Sequence, residues 1–299
     1  RSTLFPYTTL FRSAKASGVP FPPELDGLEQ GFVTALFIVH AGRGAEAMSP
    51  AIRGHYIWSH KWFMPQVVQV GPNLYATLYL TVPEDCRLGV CAHELGHLAF
   101  QWEDFYDANY DEDGDYWDGS GDWDLMASGS YNGSSDVPAC PVAVHRAQHG
   151  WTTPRVLTYE AGTAQVVRLA PGESVKLRSP AYTSRQYLLC ENRQNRGFDA
   201  ELPGHGLLVW RVDESRINTT STSPGLSLIE ADGSDDLLVG GDVNQGDARD
   251  PFPGASGVTA IAETGKTSTS FPGGGPSGIS LSAIIEDAEG NVTFNVAFR

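Results

Sequence analysis

Positive charge is scarce in this chain. Twenty lysines and arginines stand against 36 aspartates and glutamates, for a formal net charge of −16 and a pI of about 4.8. Such a field repels phosphate backbones, so nucleic acid is excluded as the expected partner. Long apolar runs are also missing. The longest, Phe32 to Val39, is strand-length and falls far short of the ~18 residues that a membrane helix needs. Cysteine is sparse: Cys86, Cys91, Cys140 and Cys190. Their spacings are not those of a zinc knuckle, and four cysteines allow three full pairings. Charged residues make up only 19% of the chain, whereas 33 glycines, 19 prolines and 41% hydrophobic residues suit a loop-rich, β-heavy, extracellular-type protein with a sizeable core. A length of 299 residues predicts two domains or one large one.

The first thirteen residues, RSTLFPYTTLFRS, lack the charged start, apolar stretch and small-residue cleavage site of a signal peptide. They read as a translated sequencing-library adapter, in which CCC-TAC-ACG-ACG-CTC-TTC-CGA-TCT encodes Pro6 to Ser13. The expectation is that Arg1 to Ser13 are an artefact and that the natural start lies upstream.

Gly31 to His40 is a β-branched and aromatic run that predicts a buried strand. Val67 to Val82 holds two more apolar stretches around a Gly-Pro-Asn turn. Pro83-Glu84-Asp85 then signals a helix start, with acids at the positive end of the dipole. Leu88, Cys91, Ala92, Leu95, Ala99 and Trp102 recur at three and four, which predicts a helix over about 87–102. A second helix is expected within Pro138 to Gly150. Beyond Pro154 the chain breaks into short strand candidates separated by Gly, Pro and Asp turns: 164–169, 174–177, 186–191, 206–212, 226–230, 278–285 and 291–298. This pattern predicts a sandwich-like or barrel-like β unit with a boundary near residue 156.

The sharpest chemical signal is His93-Glu94-Leu95-Gly96-His97. On a helix, positions i and i+4 share a face, so both imidazoles can bind one metal, with Glu94 beside them. This is the HExxH zinc-hydrolase pattern. A catalytic zinc takes three protein ligands and keeps one position open for water. It acidifies that water, and a nearby carboxylate takes the proton and can pass it to a leaving amine. No third histidine follows at the spacing of the metzincins, so the third ligand is expected to be a carboxylate: Glu103, Asp104 or Asp107.

The stretch HELGHLAFQWEDFYD, followed by GDWDLMASGSYNG, resembles the immune inhibitor A-like family of secreted bacterial metalloproteases. Further stretches carry the resemblance in order: Ile57 to Trp62, Gly150-Trp151, Glu191-Asn192-Arg193-Gln194, Leu202 to Glu214, Glu230 to Gly233, and Asp250 to Gly254. It implies zinc held by His93 and His97, Glu94 as general base, and the first Asp of Asp-x-Tyr-Asp, here Asp104, as third ligand in preference to Glu103. Phe100 stands where many members have glycine, and Tyr131 where they have tryptophan. Met126 is expected beneath the metal as a hydrophobic floor.

The reading is therefore an α+β zincin-like catalytic domain, with a short sheet and an active-site helix, over 14–156, followed by a β-rich sandwich-like domain over 157–299. The expected function is a secreted, monomeric, zinc-dependent endopeptidase acting on protein or peptide substrates. The alternative is a secreted binding or adhesive protein with a vestigial zinc site. Asp111, Asp113, Asp115 and Asp118 around Gly114, within the acidic loop Asp107–Asp124, suggest calcium. Asp232, Asp235, Asp236, Asp242, Asp247 and Asp250 form a looser acidic set. His40 and His60 are expected in the core or on the surface, with the cleft as the alternative, and His145, His149 and His205 are read as incidental. Cys91 is expected as a buried thiol, and Cys86 with Cys140 is one candidate disulfide.

Overall fold

A computed structural model describes residues 16, 18–107, 109, 114, 116–216, 224–238 and 244–299. The adapter-like start, Asp111, Asp113, Asp115 and Asp242 lie outside the described residues. The fold is mixed α+β, with few helices and several sheets. The chain divides into two compact units, Arg1–Trp102 and Glu103–Arg299.

Among the described residues, the first unit holds a three-stranded sheet followed by an α-helix. Strands β1 (Phe37–His40), β2 (His60–Gly71) and β3 (Leu74–Pro83) lie in the order β1-β3-β2. β1 runs parallel to β3, and β2 antiparallel to it. Pro72 and Asn73 close the β2–β3 hairpin: proline presets the first turn residue, and Asn73 takes the left-handed conformation at φ 56°. The pairing of β2 with β3 shifts register between Phe63 and Val68, around Pro65, which has no N–H to give to a ladder. The expected strand at Gly31 to His40 is regular only from Phe37.

Helix α1 (Leu88–Phe100) follows β3. Cys91, Leu95 and Leu98, at i, i+4 and i+7, form its inner stripe. They pack with Leu80 and Val82, which share one face of β3. Leu88, expected on the apolar stripe, is instead 49% exposed in the first turn. The helix also stops short of Trp102, because Gln101 turns left-handed at φ 55°.

Among the described residues, the second unit carries helix α2 (Ala143–Gln148) and two sheets. One sheet has five strands in the order β4 (Arg155–Thr158), β6 (Ser174–Arg178), β7 (Gln186–Arg193), β8 (Gly206–Asp213), β9 (Leu226–Leu228). The other has three, in the order β10 (Ile279–Glu286), β11 (Val292–Phe298), β5 (Ala164–Leu169). Period-two alternation divides β7 and β8 between two cores. Leu188, Cys190, Leu207 and Val209 face a core shared with Val167, Ile279, Phe294 and Val296 of the three-stranded sheet. Tyr187, Leu189, Leu208 and Trp210 face a second core with Trp123, Val142 and Val144. Both strands are thus buried on both faces.

The segment before α2 is held by backbone rather than by regular structure. Gly119 is at φ 66°, and a Cβ there would collide with the Phe105 carbonyl, which also accepts the Ser120 N–H at 2.8 Å. Only glycine fits so close an approach.

Candidate metal centre

The local sequence builds the centre from the end of α1. With Gln101 left-handed, the Trp102 N–H bonds back to the Gly96 carbonyl at 3.2 Å. This capping turn satisfies a helix-end carbonyl and folds the chain back over the last turn. Phe100 and Trp102 stack with centroids 4.8 Å apart. The Trp102 carbonyl then lies 2.6 Å from His97 Nδ1. A carbonyl only accepts, so His97 Nδ1–H is the donor, and Nε2 is the ring's acceptor nitrogen, the one able to bind a metal.

His93 and His97 come together as the i, i+4 spacing requires. Their Nε2 atoms are 3.1 Å apart, with ring centroids at 4.7 Å and ring planes at 90°. Two nitrogens at roughly 2.0–2.1 Å from one tetrahedral zinc would sit about 3.3 Å apart. The pair therefore fits a single ion, and the carbonyl behind His97 is the outer partner that such ligands usually have. Glu94 sits on the same helix, only 7% exposed.

Asp104 is half-buried and Glu103 exposed, both at the start of the second unit. Met126 is fully buried, and its carbonyl accepts the Phe105 N–H at 2.9 Å. Asp107 braces its own loop, accepting the Asn109 N–H at 2.7 Å and the Trp117 indole N–H at 3.2 Å. His40 is buried, and His60 packs edge-on against Tyr79. Burial holds the His60 pKa below its usual value, against the raising effect of the Trp58 carbonyl. His145 is buried in the second unit, stacked on Phe105.

Residues 26–151 match the model of the immune inhibitor A peptidase M6 catalytic domain. Immune inhibitor A of Bacillus thuringiensis subsp. alesti is 32% identical over 114 residues, covering 34% of this chain and 16% of that protein. The pre-pro-metalloprotease PrtV of Vibrio cholerae serotype O1 (strain M66-2) is 31% identical over 118 residues, covering 34% of this chain and 12% of that protein. The chain carries an immune inhibitor A-like peptidase segment. The matches span less than a fifth of either relative's own length. The peptidase M6 match takes in all of β1, β2, β3 and α1, and ends at Trp151.

Outside the motif, reading for chemistry misses a polar framework in the second unit. The fully buried Glu191 carboxylate accepts Arg146 Nη2 at 2.6 Å, the Ala143 N–H at 3.2 Å and the Trp210 indole at 2.8 Å. Arg193, 1% exposed, donates to both oxygens of Asp199 at 2.8 and 2.6 Å, to the Trp123 carbonyl at 3.0 Å and to the Cys140 carbonyl at 3.2 Å. Burial, the largest effect, would raise Asp199, but the charge and hydrogen bonds of Arg193, with the Cys140 N–H and Arg146, together hold the carboxyl below its usual range. Of the looser acidic set, Asp232 and Asp250 gather with Glu230, one carboxylate oxygen of each within 4.8 Å of the others. Asp236 and Asp247 instead accept from Asn244 Nδ2, and Asp235 pairs with Lys266 at 3.6 Å.

Proposed function

We propose that this chain is part of a secreted zinc-dependent endopeptidase that hydrolyses peptide bonds in proteins. One observation carries the reading: two imidazole nitrogens 3.1 Å apart, one ring keyed by a backbone carbonyl, inside a segment that matches a peptidase family. The catalytic domain is taken as the zincin-like 14–156. A sandwich-like domain over 157–299 is supported by the two sheets that share one core.

His93 and His97 would hold the ion through Nε2, and Asp104 would supply the third, anionic ligand. The half-burial of Asp104 favours it over the exposed Glu103. Bound zinc supplies Lewis acidity toward a carbonyl and lowers the pKa of a bound water. The Trp102 carbonyl keeps His97 in the Nδ1-protonated form and fixes the plane of its ring. The Glu94 carboxylate takes the proton of the attacking water and returns it to the leaving amine.

The test is cleavage of a quenched casein substrate by the full chain and by its Glu94→Gln variant, with zinc content measured on the same samples. The expected outcome is a kcat lower by roughly 10²–10⁴ in the variant, with zinc retained in both. Zinc retained without turnover in either protein would favour the binding-protein alternative. A folded chain that takes up no zinc would sink the reading.

A further inference from the structure

Cys86 and Cys91 lie within one cluster of the first unit, packed with Leu80, Val82, Leu95 and Leu98. Their Sγ atoms are 2.9 Å apart. A disulfide is about 2.04 Å long, so under ~1 Å of movement separates the two thiols from a covalent bond. The backbone already forms a tight turn there: the Cys86 N–H bonds to the Pro83 carbonyl at 3.1 Å, and the Cys91 N–H to the Arg87 carbonyl at 3.2 Å.

The location matters for the metal centre. Cys86 is just outside α1 and Cys91 near its start, two residues before His93. Arg87 occupies the N-cap position, and its own side chain makes no capping hydrogen bond. The helix that presents both histidines therefore takes no cap from the side chain at its N-cap position. A covalent link across this turn would hold the first turns where a side-chain cap does not.

We propose that Cys86 and Cys91 are a disulfide-forming pair that staples the N-terminal end of the HExxH helix. Two S–H bonds are replaced by one Sγ–Sγ bond. The two electrons and two protons pass to a disulfide oxidant, either a small-molecule disulfide or a dithiol–disulfide oxidoreductase, which becomes the corresponding thiols. In the cell this rests on the extracellular reading above, since oxidising compartments sustain such bonds.

The experiment supplies the oxidant and so does not depend on that reading. The purified full chain is equilibrated with oxidised glutathione, its remaining thiols are blocked, and it is digested with trypsin and a glutamate-specific protease. Cuts after Glu84, Arg87 and Glu94 place Cys86 in Asp85–Arg87 and Cys91 in Leu88–Glu94, apart from Cys140. The expected product is these two peptides joined, with no such product from Cys86→Ser. Reduction should lower the Tm of the oxidised wild type by roughly 3–6 °C and leave that of Cys86→Ser unchanged. Recovery of both peptides as blocked thiols, or of Cys86 joined to the Cys140 peptide, overturns the proposal. Casein cleavage by the same samples reports separately on the proposed function.

Discussion

Asp250 buries a carboxylate against an indole. Its Oδ2 accepts Trp123 Nε1–H at 2.9 Å and the Asp247 N–H at 3.0 Å. Burial pushes its pKa up to about 7, against the lowering effect of those two hydrogen bonds. A carboxyl with a folded pKa above its unfolded value binds more protons when folded. Its stabilising effect is complete below about pH 4 and is lost as pH rises to about 7, a change on the order of 4 kcal/mol. Asp124, pushed up to about 6 by burial, acts with the same sign. We expect Asp250→Asn to flatten the decline of Tm between pH 4 and 8 in metal-free buffer. An unchanged slope would show that Asp250 titrates normally. Some of these residues are legible in the sequence and others are not. His93 and His97 are a two-body relation at a known helical spacing. Glu191, Arg193 and Asp250 each take partners far away in sequence, and their burial has no local signature. In the sequence Glu191 and Arg193 stand out only within a stretch of family resemblance, and Asp250 also within the looser acidic set, with nothing to say what each side chain holds.

Elements with strong periodicity emerge much as their pattern implies, and their ends do so only in part. The expected strand at 164–169 is β5, residue for residue. β4 escapes sequence reading because its four residues carry no alternation, and its pairing partner lies about twenty residues further on. The end of α1 differs from expectation because Trp102 fits the helical period, while the termination is decided by the φ of Gln101. A left-handed non-glycine residue carries a conformational cost, which glycine avoids. Gln101→Gly should therefore keep or raise stability by a few tenths of a kcal/mol, and Gln101→Val should lower it by about 1 kcal/mol. Urea denaturation of the three proteins checks the order. If the valine variant matches the wild type, the left-handed turn does not form in solution.

For the chain as a whole, the segment that matches a family is not the segment that supports itself. The peptidase match ends at Trp151, yet the carbonyls of Trp123 and Cys140 inside it are held by Arg193. Glu191 likewise anchors Ala143 and Arg146. The expected boundary near residue 156 marks a change in sequence character, and these bonds cross it. Arg193→Leu removes one partner of a buried ion pair and should cost about 3–5 kcal/mol, seen as a lower urea midpoint with an unchanged slope. A loss below 1 kcal/mol would mean that other contacts hold these loops.

The same guanidinium sets an order of events during synthesis. The loop around Trp123 leaves the ribosome seventy residues ahead of the side chain that satisfies its carbonyl. Until β7 has emerged, the Trp123 carbonyl must wait for this donor, and the nascent chain can complete this part of its fold only after the sequence that looks like the enzyme has already been made.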